Sequence, residues 1–403
     1  MFSVRALNAA PRWVRRLVTR ITLGRGLLGF VYDQVAHRYT DDQIPALPPV
    51  TSAPIRLVIG PANEAEQGFQ WARAAERSVP GVSALAMMGF DPGGYGVQAD
   101  VVVPTAVYLR SHEWHERFEA YLRGCTHVIM ESAMPLLGRR YRTDVVDEVR
   151  ALRDAGVRVA MLFHGSDLRL PSQHVRENPW SPFTDPDVPT VILEEKAMRA
   201  RAIVAELQVP AFVSTPDLVR YIPHAIWCPV VIDLPRWRVE RSAAREPGRV
   251  PVVLHAPSNA LIKGSHHLDP ILRALEAEGL IEYRRVTGLS YSAMKQQYAD
   301  ADIVLDQFLL GSYGVAACEA MAAGCVVIGH VDEPTRRAVI DQTGLEVPIV
   351  DATLATLDAV LRAVIAEPIE TMAERRTQAV GYVGALHDGG QSALALGQFL
   401  QAK

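Results

Sequence analysis

Three groups of residues in this chain have types and spacing that can do chemistry. Lys263 and Gly264 follow the apolar run 250–258 and stand just before a helical pattern at 268–279. Gly264 permits close backbone approach, the helix start offers unpaired N–H groups, and Lys263 adds a positive point charge. Together they can hold a phosphate; a solvated turn would carry the same residues. Gly311 and Gly314 form a loop before a second helical run, 315–324, whose N–H groups and dipole favour an anion. Glu319 lies inside that run among Ala, Cys and Met, so its carboxylate needs a partner. A ribose diol can donate to both of its oxygens; backbone donors or an Arg would satisfy it equally. His164 and Asp167 leave the apolar run that begins at 157. His164 can donate to a sugar hydroxyl or a diphosphate oxygen, and Asp167 can accept from His164 or from an acceptor hydroxyl. In the plainer alternative Asp167 caps the loop and His164 fills space.

Other chemistries find little support. His112 and His115 are spaced H-E-x-H, which does not put two zinc ligands on one helix face, and both are expected on the helix surface. His266 and His267 follow the Lys-Gly turn and are expected at a solvated helix start. No P-loop, G-x-G-x-x-G or G-x-S-x-G occurs. Cys125, Cys228, Cys318 and Cys325 form no C-x-x-C, so no metal site is expected and the thiols read as free, in a reducing cytoplasm. No apolar run reaches the roughly 18 residues of a membrane-spanning helix, and no cleavable signal peptide is evident.

These residues need elements to position them, and the sequence supplies strand–helix alternation. Apolar runs at 55–60, 82–88, 99–104, 127–132, 157–167 and 211–215 read as buried parallel strands, with helices at 68–78, 112–124 and 144–156. After a linker near 241–249 the alternation restarts. Strands are expected at 250–258, 281–288, 302–309 and 325–330, and helices at 268–279, 291–301, 315–324, 354–367 and 369–402. The fold class is therefore α/β, with two tandem doubly wound Rossmann-like domains and a cleft between them. The domains expected are a basic N-terminal extension at 1–43, an N-terminal domain at 55–240, a C-terminal domain at 250–367, and a helical segment at 368–403 that crosses back. The 403 residues suit two domains, and a composition of 49% apolar and 21% charged residues suits a globular chain.

Charge is uneven. Residues 1–32 hold six Arg and no acid, and without those six the chain has 35 basic against 45 acidic residues. A net charge of −4 gives no case for nucleic acid. On a helical wheel, Trp13, Val14, Leu17, Val18 and Ile21 share one face of 12–23, and Arg12, Arg15, Arg16 and Arg20 the other. Such an amphipathic helix either lies on an anionic membrane or packs on the body with its Arg face in water. The linker 44–54, rich in proline, marks the boundary behind it.

The run from His255 to Gly329 resembles the donor-binding half of family 4 glycosyltransferases, which have the GT-B fold and retain configuration. The matching pieces are HAPSNALIKGS, the Gly288 turn in VTGLSYSAM, the YADADIVLDQ block and GSYGVAACEAMAAGCVVIG. IGPANEAEQG, LFHGSDLR and AFVSTPDLVRYIPHAIWCPVVID extend the resemblance over roughly 55–400. It implies that Lys263 neutralises a donor diphosphate and Glu319 binds the ribose. It further implies that the backbone of Tyr313, Gly314 and Val315 faces sugar and phosphate, and that Thr287, Gly288 and Leu289 contact the base. His164 matches a histidine near the transferred sugar. Two positions depart from the pattern: Gly311 stands where the first glutamate of E-x7-E belongs, and Ser258 where an arginine accompanies the lysine.

The expected function is sugar transfer from a nucleotide-diphosphate sugar to a glycan or lipid-linked acceptor hydroxyl, in cell-surface polysaccharide or glycolipid assembly. His164, Asp167 and Lys263 are the expected catalytic residues. No cofactor is expected beyond the donor substrate. The place expected is the cytoplasm, peripheral on the inner face of the membrane. The departures at Gly311 and Ser258 favour a rival, a non-catalytic GT-B protein that binds or scaffolds an active transferase. A sugar-phosphate epimerase on the same fold is a weaker one.

Overall fold

The computed structural model describes residues 37–89, 96–239 and 249–401, together with Asn8, Ala10, Pro11, Trp13, Val14, Leu17 and Val18. Val, Ile, Leu and Met fill most of the runs that become the inner strands, such as 127–131 and 158–163, and these are buried on both faces, as parallel strands under helices must be; the edge run at 282–285, EYRR, is not. In the N-terminal half the strands are β1 (Ile55–Gly60), β2 (Val82–Met88), β3 (Val101–Val102), β4 (His127–Glu131), β5 (Arg158–Phe163), β6 (Ala211–Val213) and β7 (Ile226–Trp227). They form one parallel sheet in the order β3-β2-β1-β4-β5-β6-β7. Its helices are α1 (Gln67–Ser78), α2 (Thr105–Arg110), α3 (His112–Arg123), α4 (Val145–Asp154), α5 (Pro171–Glu177) and α6 (Thr190–Leu207).

A short helix, α7 (Leu234–Trp237), precedes the second half. There the strands are β8 (Val252–His255), β9 (Glu282–Arg285), β10 (Ile303–Leu305), β11 (Val326–Gly329) and β12 (Val350–Asp351). They pair in parallel in the order β12-β11-β10-β8-β9. The helices are α8 (Ala260–Lys263), α9 (Ser265–Ala277), α10 (Tyr291–Asp300), α11 (Val315–Ala322), α12 (Glu333–Thr343), α13 (Leu357–Ile365), α14 (Ile369–Leu386) and α15 (Gly390–Leu400).

In each sheet the chain builds outward on one side of its first strand and then crosses to the other. The resulting switch points lie between β1 and β4 and between β8 and β10. Ligands of open α/β sheets bind outside the strand ends at such points.

The last two helices tie the halves together. On α14, Tyr382 meets Tyr313 hydroxyl to hydroxyl at 2.6 Å. The chain then returns to the first half, where the Ile232 N–H donates to His387 O at 2.8 Å and Ser392 Oγ donates to Pro229 O at 2.7 Å. On α15, Leu396, Phe399 and Leu400 share an apolar cluster with Leu57, Ile59 and Trp71.

Several elements differ from the sequence reading. The strand expected at 99–104 shrinks to Val101–Val102, because Pro104 has no N–H for the ladder and begins α2. The helices α2, α5, α6 and α12 were not expected. The 18-residue α6 shows no clean apolar stripe, with Ile192 and Met198 turned to solvent. His115 is not on the surface: it is buried on the face of α3 that carries Phe118 and Leu122, and its Nε2 lies 2.7 Å from Tyr108 O. All four cysteines are buried free thiols. Of the helix expected at 12–23, only Trp13, Val14, Leu17 and Val18 are described, and all four are helical. The linker expected at 241–249 lies outside the described residues except for Arg249.

Candidate active site

The two switch points open on one cleft of about 1000 Å³. That is the upper end of the roughly 300–1,000 Å³ typical of small-molecule sites. On the side of the second sheet the walls include Ser258, Lys263, Thr287, Gly288, Leu289, Tyr291, Asp306, Gln307, Gly314, Val315 and Glu319. Asn63, Glu64, His164 and Ser214 face them from the first.

Lys263 is positioned by α8, a single turn capped by Asn259, whose Oδ1 accepts from Leu261 N at 3.1 Å and Ile262 N at 3.2 Å. Gly264 follows with φ +80° and ends that turn. It is buried and outside the cleft wall, so its role is the sharp entry into α9, where a Cβ would come within 3.0 Å of Leu309 Cγ. Lys263 Nζ lies 2.5 Å from Asp306 Oδ1.

The loop after β10 starts α11 without a side-chain cap, and Gly314, Val315 and Ala316 line the cleft at that helix start. The helix N-terminus is thus aimed at the ligand space. Glu319 lies just over one turn in. No described residue donates a hydrogen bond to its carboxyl, and burial pushes it up to about 8, with Lys263 opposing the shift. Tyr313 points away into the core, and Gly311 is also outside the cleft wall. Gly311 has φ +68°, and a Cβ there would meet Asp332 Oδ2 at 3.0 Å. A glutamate at 311 would be both strained and crowded.

Across the cleft, His164 is the first residue after β5. Its Nε2 lies 3.0 Å from Glu131 Oε1, and Glu131, fully buried at the end of β4, also accepts from Asn63 N at 2.7 Å. Burial opposes a charge on His164, but the Glu131 hydrogen bond and the charges of Glu131, Asp167 and Glu64 outweigh it and raise its pKa above the ordinary value. With Nε2 committed to Glu131, Nδ1 is the nitrogen left for a ligand.

Asp167 is a correction to the sequence reading. It is buried outside the cleft wall and accepts from the backbone of His164 at 3.0 Å, from Gly165 N at 2.7 Å and from Ser132 Oγ at 2.7 Å. It caps the loop and positions His164.

The sequence reading missed Asn63, Glu64, Glu131, Tyr291, Asp306 and Gln307. For Glu131 a signal was present, since it lies at the carboxyl end of the strand expected at 127–132; Asp306 and Gln307 fell inside the strand expected at 302–309, which in the structure ends at Leu305.

The loop at 309–314 is held from the opposite half. Asn178 Nδ2 donates to Leu309 O at 3.0 Å. Burial pushes His174 down to about 4, so its neutral ring donates from Nε2 to Leu310 O at 3.2 Å. Asp217 Oδ1 accepts from Ser312 Oγ and its Oδ2 from Arg169, each at 2.6 Å.

No protein-family profile matches the chain, and no curated protein matches it. Solved structures do share its fold. Sucrose-phosphate synthase from Thermosynechococcus elongatus superposes with a TM-score of 0.56 at 14% identity, over 86% of this chain and 98% of that one. Anabaena Alr3699/HepE, solved with UDP and glucose, gives 0.55 at 11% identity over 86% and 99%. The catalytic domain of starch synthase IV from Arabidopsis thaliana, bound to ADP and acarbose, gives 0.54 at 10% identity over 87% and 99%. The likeness spans both halves and shows the two-domain GT-B architecture.

Proposed function

We propose that the chain is a glycosyltransferase that moves a sugar from a nucleotide-diphosphate sugar to an acceptor hydroxyl, with retention of configuration. The observation that carries this reading is the meeting of two strand-switch points over one cleft. One brings a lysine and a helix N-terminus for a leaving diphosphate, and the other a carboxylate-held histidine. Glycosyltransferases solved with UDP or ADP share the architecture. Glu319 takes the ribose diol, and Thr287, Gly288 and Leu289 meet the base. The bond from the sugar C1 to the diphosphate breaks with its electron pair leaving on the diphosphate oxygen. Lys263 and the N–H groups at Gly314 and Val315 stabilise that charge. The acceptor oxygen bonds C1 on the same face and gives its proton to the departing diphosphate. Calorimetric titration with nucleotide sugars tests the reading: binding is expected, and no binding would overturn it. That negative result would favour the non-catalytic GT-B reading, which Gly311 and Ser258 support.

The acceptor side concerns the membrane. Among the described residues no helix is long and apolar enough to cross one. Trp13 and Leu17 are 68% and 44% exposed on the helix expected to be amphipathic, while Asn8 Nδ2 anchors the segment by donating to Val188 O at 2.8 Å. This combination supports docking on an anionic inner-face membrane, with a lipid-linked acceptor in polysaccharide or glycolipid assembly. Each Lys or Arg near such a surface contributes about 1 kcal/mol. The chain is therefore expected to sediment with anionic but not neutral vesicles at low salt, and to lose this on deletion of residues 1–32. Sedimentation unchanged by the deletion would remove the helix from the membrane reading.

A further inference from the structure

Among the described residues lining the cleft, the one lysine is already paired. Lys263 and Asp306, 2.5 Å apart, have side chains only 12% and 5% exposed. β10 is three residues long, so Asp306 is the first residue beyond the strand. Its N–H still donates to Ile328 O at 3.1 Å, which fixes the backbone beneath a carboxylate in the cleft wall. Among the described lining residues Lys263 is the only Lys or Arg; it stands beside Asp306, with Glu64 and Glu319 also in the wall and His164 across the cleft. A diphosphate approaching Lys263 meets the Asp306 charge beside it. At 311, where the resemblance puts the first glutamate of E-x7-E, the chain has a glycine, and it lies outside the cleft wall. Asp306 is the carboxylate that the same loop brings to the cleft.

We propose that Asp306 is the specificity-determining carboxylate for the donor's sugar: Lys263 passes from Asp306 to the diphosphate, and Asp306 then accepts hydrogen bonds from sugar hydroxyls. This rests on reading the cleft as a nucleotide-sugar site. A nucleoside diphosphate without sugar takes Lys263 and leaves Asp306 unpaired next to its own negative charge, so it binds poorly. The sugar ester supplies hydroxyl donors that restore a partner. The pair therefore favours the loaded donor over the spent product and helps expel the latter.

The test is calorimetry on the full chain with UDP, ADP, GDP and dTDP and the hexose ester of each. Wild type should prefer a sugar ester to its parent diphosphate by about tenfold or more, the scale of one charge-assisted hydrogen bond. Asp306→Asn should bind the bare diphosphate about tenfold more tightly than wild type and lose most of the preference. A bare-diphosphate affinity unchanged or weakened in Asp306→Asn, or a preference kept intact, would overturn the proposal while leaving the glycosyltransferase reading standing. Wild type binding none of the eight ligands would overturn both. Should the single change unfold the chain, Lys263→Gln with Asp306→Asn, neutral at both positions, must also lose the preference; keeping it would overturn the proposal equally.

Discussion

Replacing His164 by alanine is expected to lower turnover by about 100-fold to 1,000-fold, the cost of removing one preorganised donor from a reacting centre. Donor affinity should change far less, because the groups proposed to hold the nucleotide, Lys263, Glu319 and the loop at 287–289, lie across the cleft. Glu131→Gln separates this role from simple packing. Glu131 holds the His164 pKa up, so removing its charge lowers that pKa. If the protonated ring is the active form, turnover falls as pH rises through the His164 pKa, and Glu131→Gln moves that falling limb to lower pH. A profile that keeps its position, with turnover near wild type in His164→Ala, would return His164 to a space-filling role.

The second large effect is on stability. Asp217 is buried, and burial works against its charge, but the Arg169 guanidinium and the Ser312 and Arg169 hydrogen bonds outweigh this and hold it below the usual carboxylate range. Asp217→Asn leaves Arg169, itself buried, without its counter-charge. Breaking one member of a buried ion pair costs about 3–5 kcal/mol. The urea midpoint of Asp217→Asn should fall accordingly. Arg169→Met with Asp217→Leu, which removes both charges, should cost much less. Equal losses in the single and double variants would show that packing, not the uncompensated charge, sets the cost. The amide of Asn can still hydrogen-bond Ser312 Oγ, so the loss in Asp217→Asn reports the charge on Arg169 rather than the loop contact.

The architecture was legible because buried parallel strands announce themselves. The runs 55–60, 82–88 and 127–132 contain β1, β2 and β4 to within a residue or so. The misses have local causes. α12 begins Glu-Pro-Thr-Arg-Arg, with little apolar surface to show a helical period. β10 keeps only three residues of an apolar stretch because Asp306–Leu309 turns out to form the cleft wall and the contact between halves.

At the site, Lys263, Ser258, His164, Glu319 and the loop 287–289 came together as strand-end placement implies. Asp167 takes the plainer of its two readings: it caps its own loop through His164 N and Gly165 N, and Ser132, 35 residues earlier, fixes it further. The Lys263–Asp306 contact joins positions 43 residues apart and exists only once β8 and β10 are neighbours. Gly314 and Val315 of the expected loop line the cleft, while the Tyr313 side chain turns into the core to meet Tyr382 from α14.

The most direct test of the central claim is calorimetric titration of the wild-type chain with a panel of nucleotide-diphosphate sugars across about pH 6 to 9, spanning the pKa of Glu319. Burial holds the Glu319 carboxyl up to about 8, so it is mostly protonated in the empty cleft at neutral pH. A ribose diol donating both hydroxyls favours the ionised form. The account predicts that one donor binds at a single site, that its Kd falls as pH rises toward 8 and then levels, and that Glu319→Gln abolishes this pH dependence. Failure of every nucleotide sugar to bind, at any pH, would contradict it.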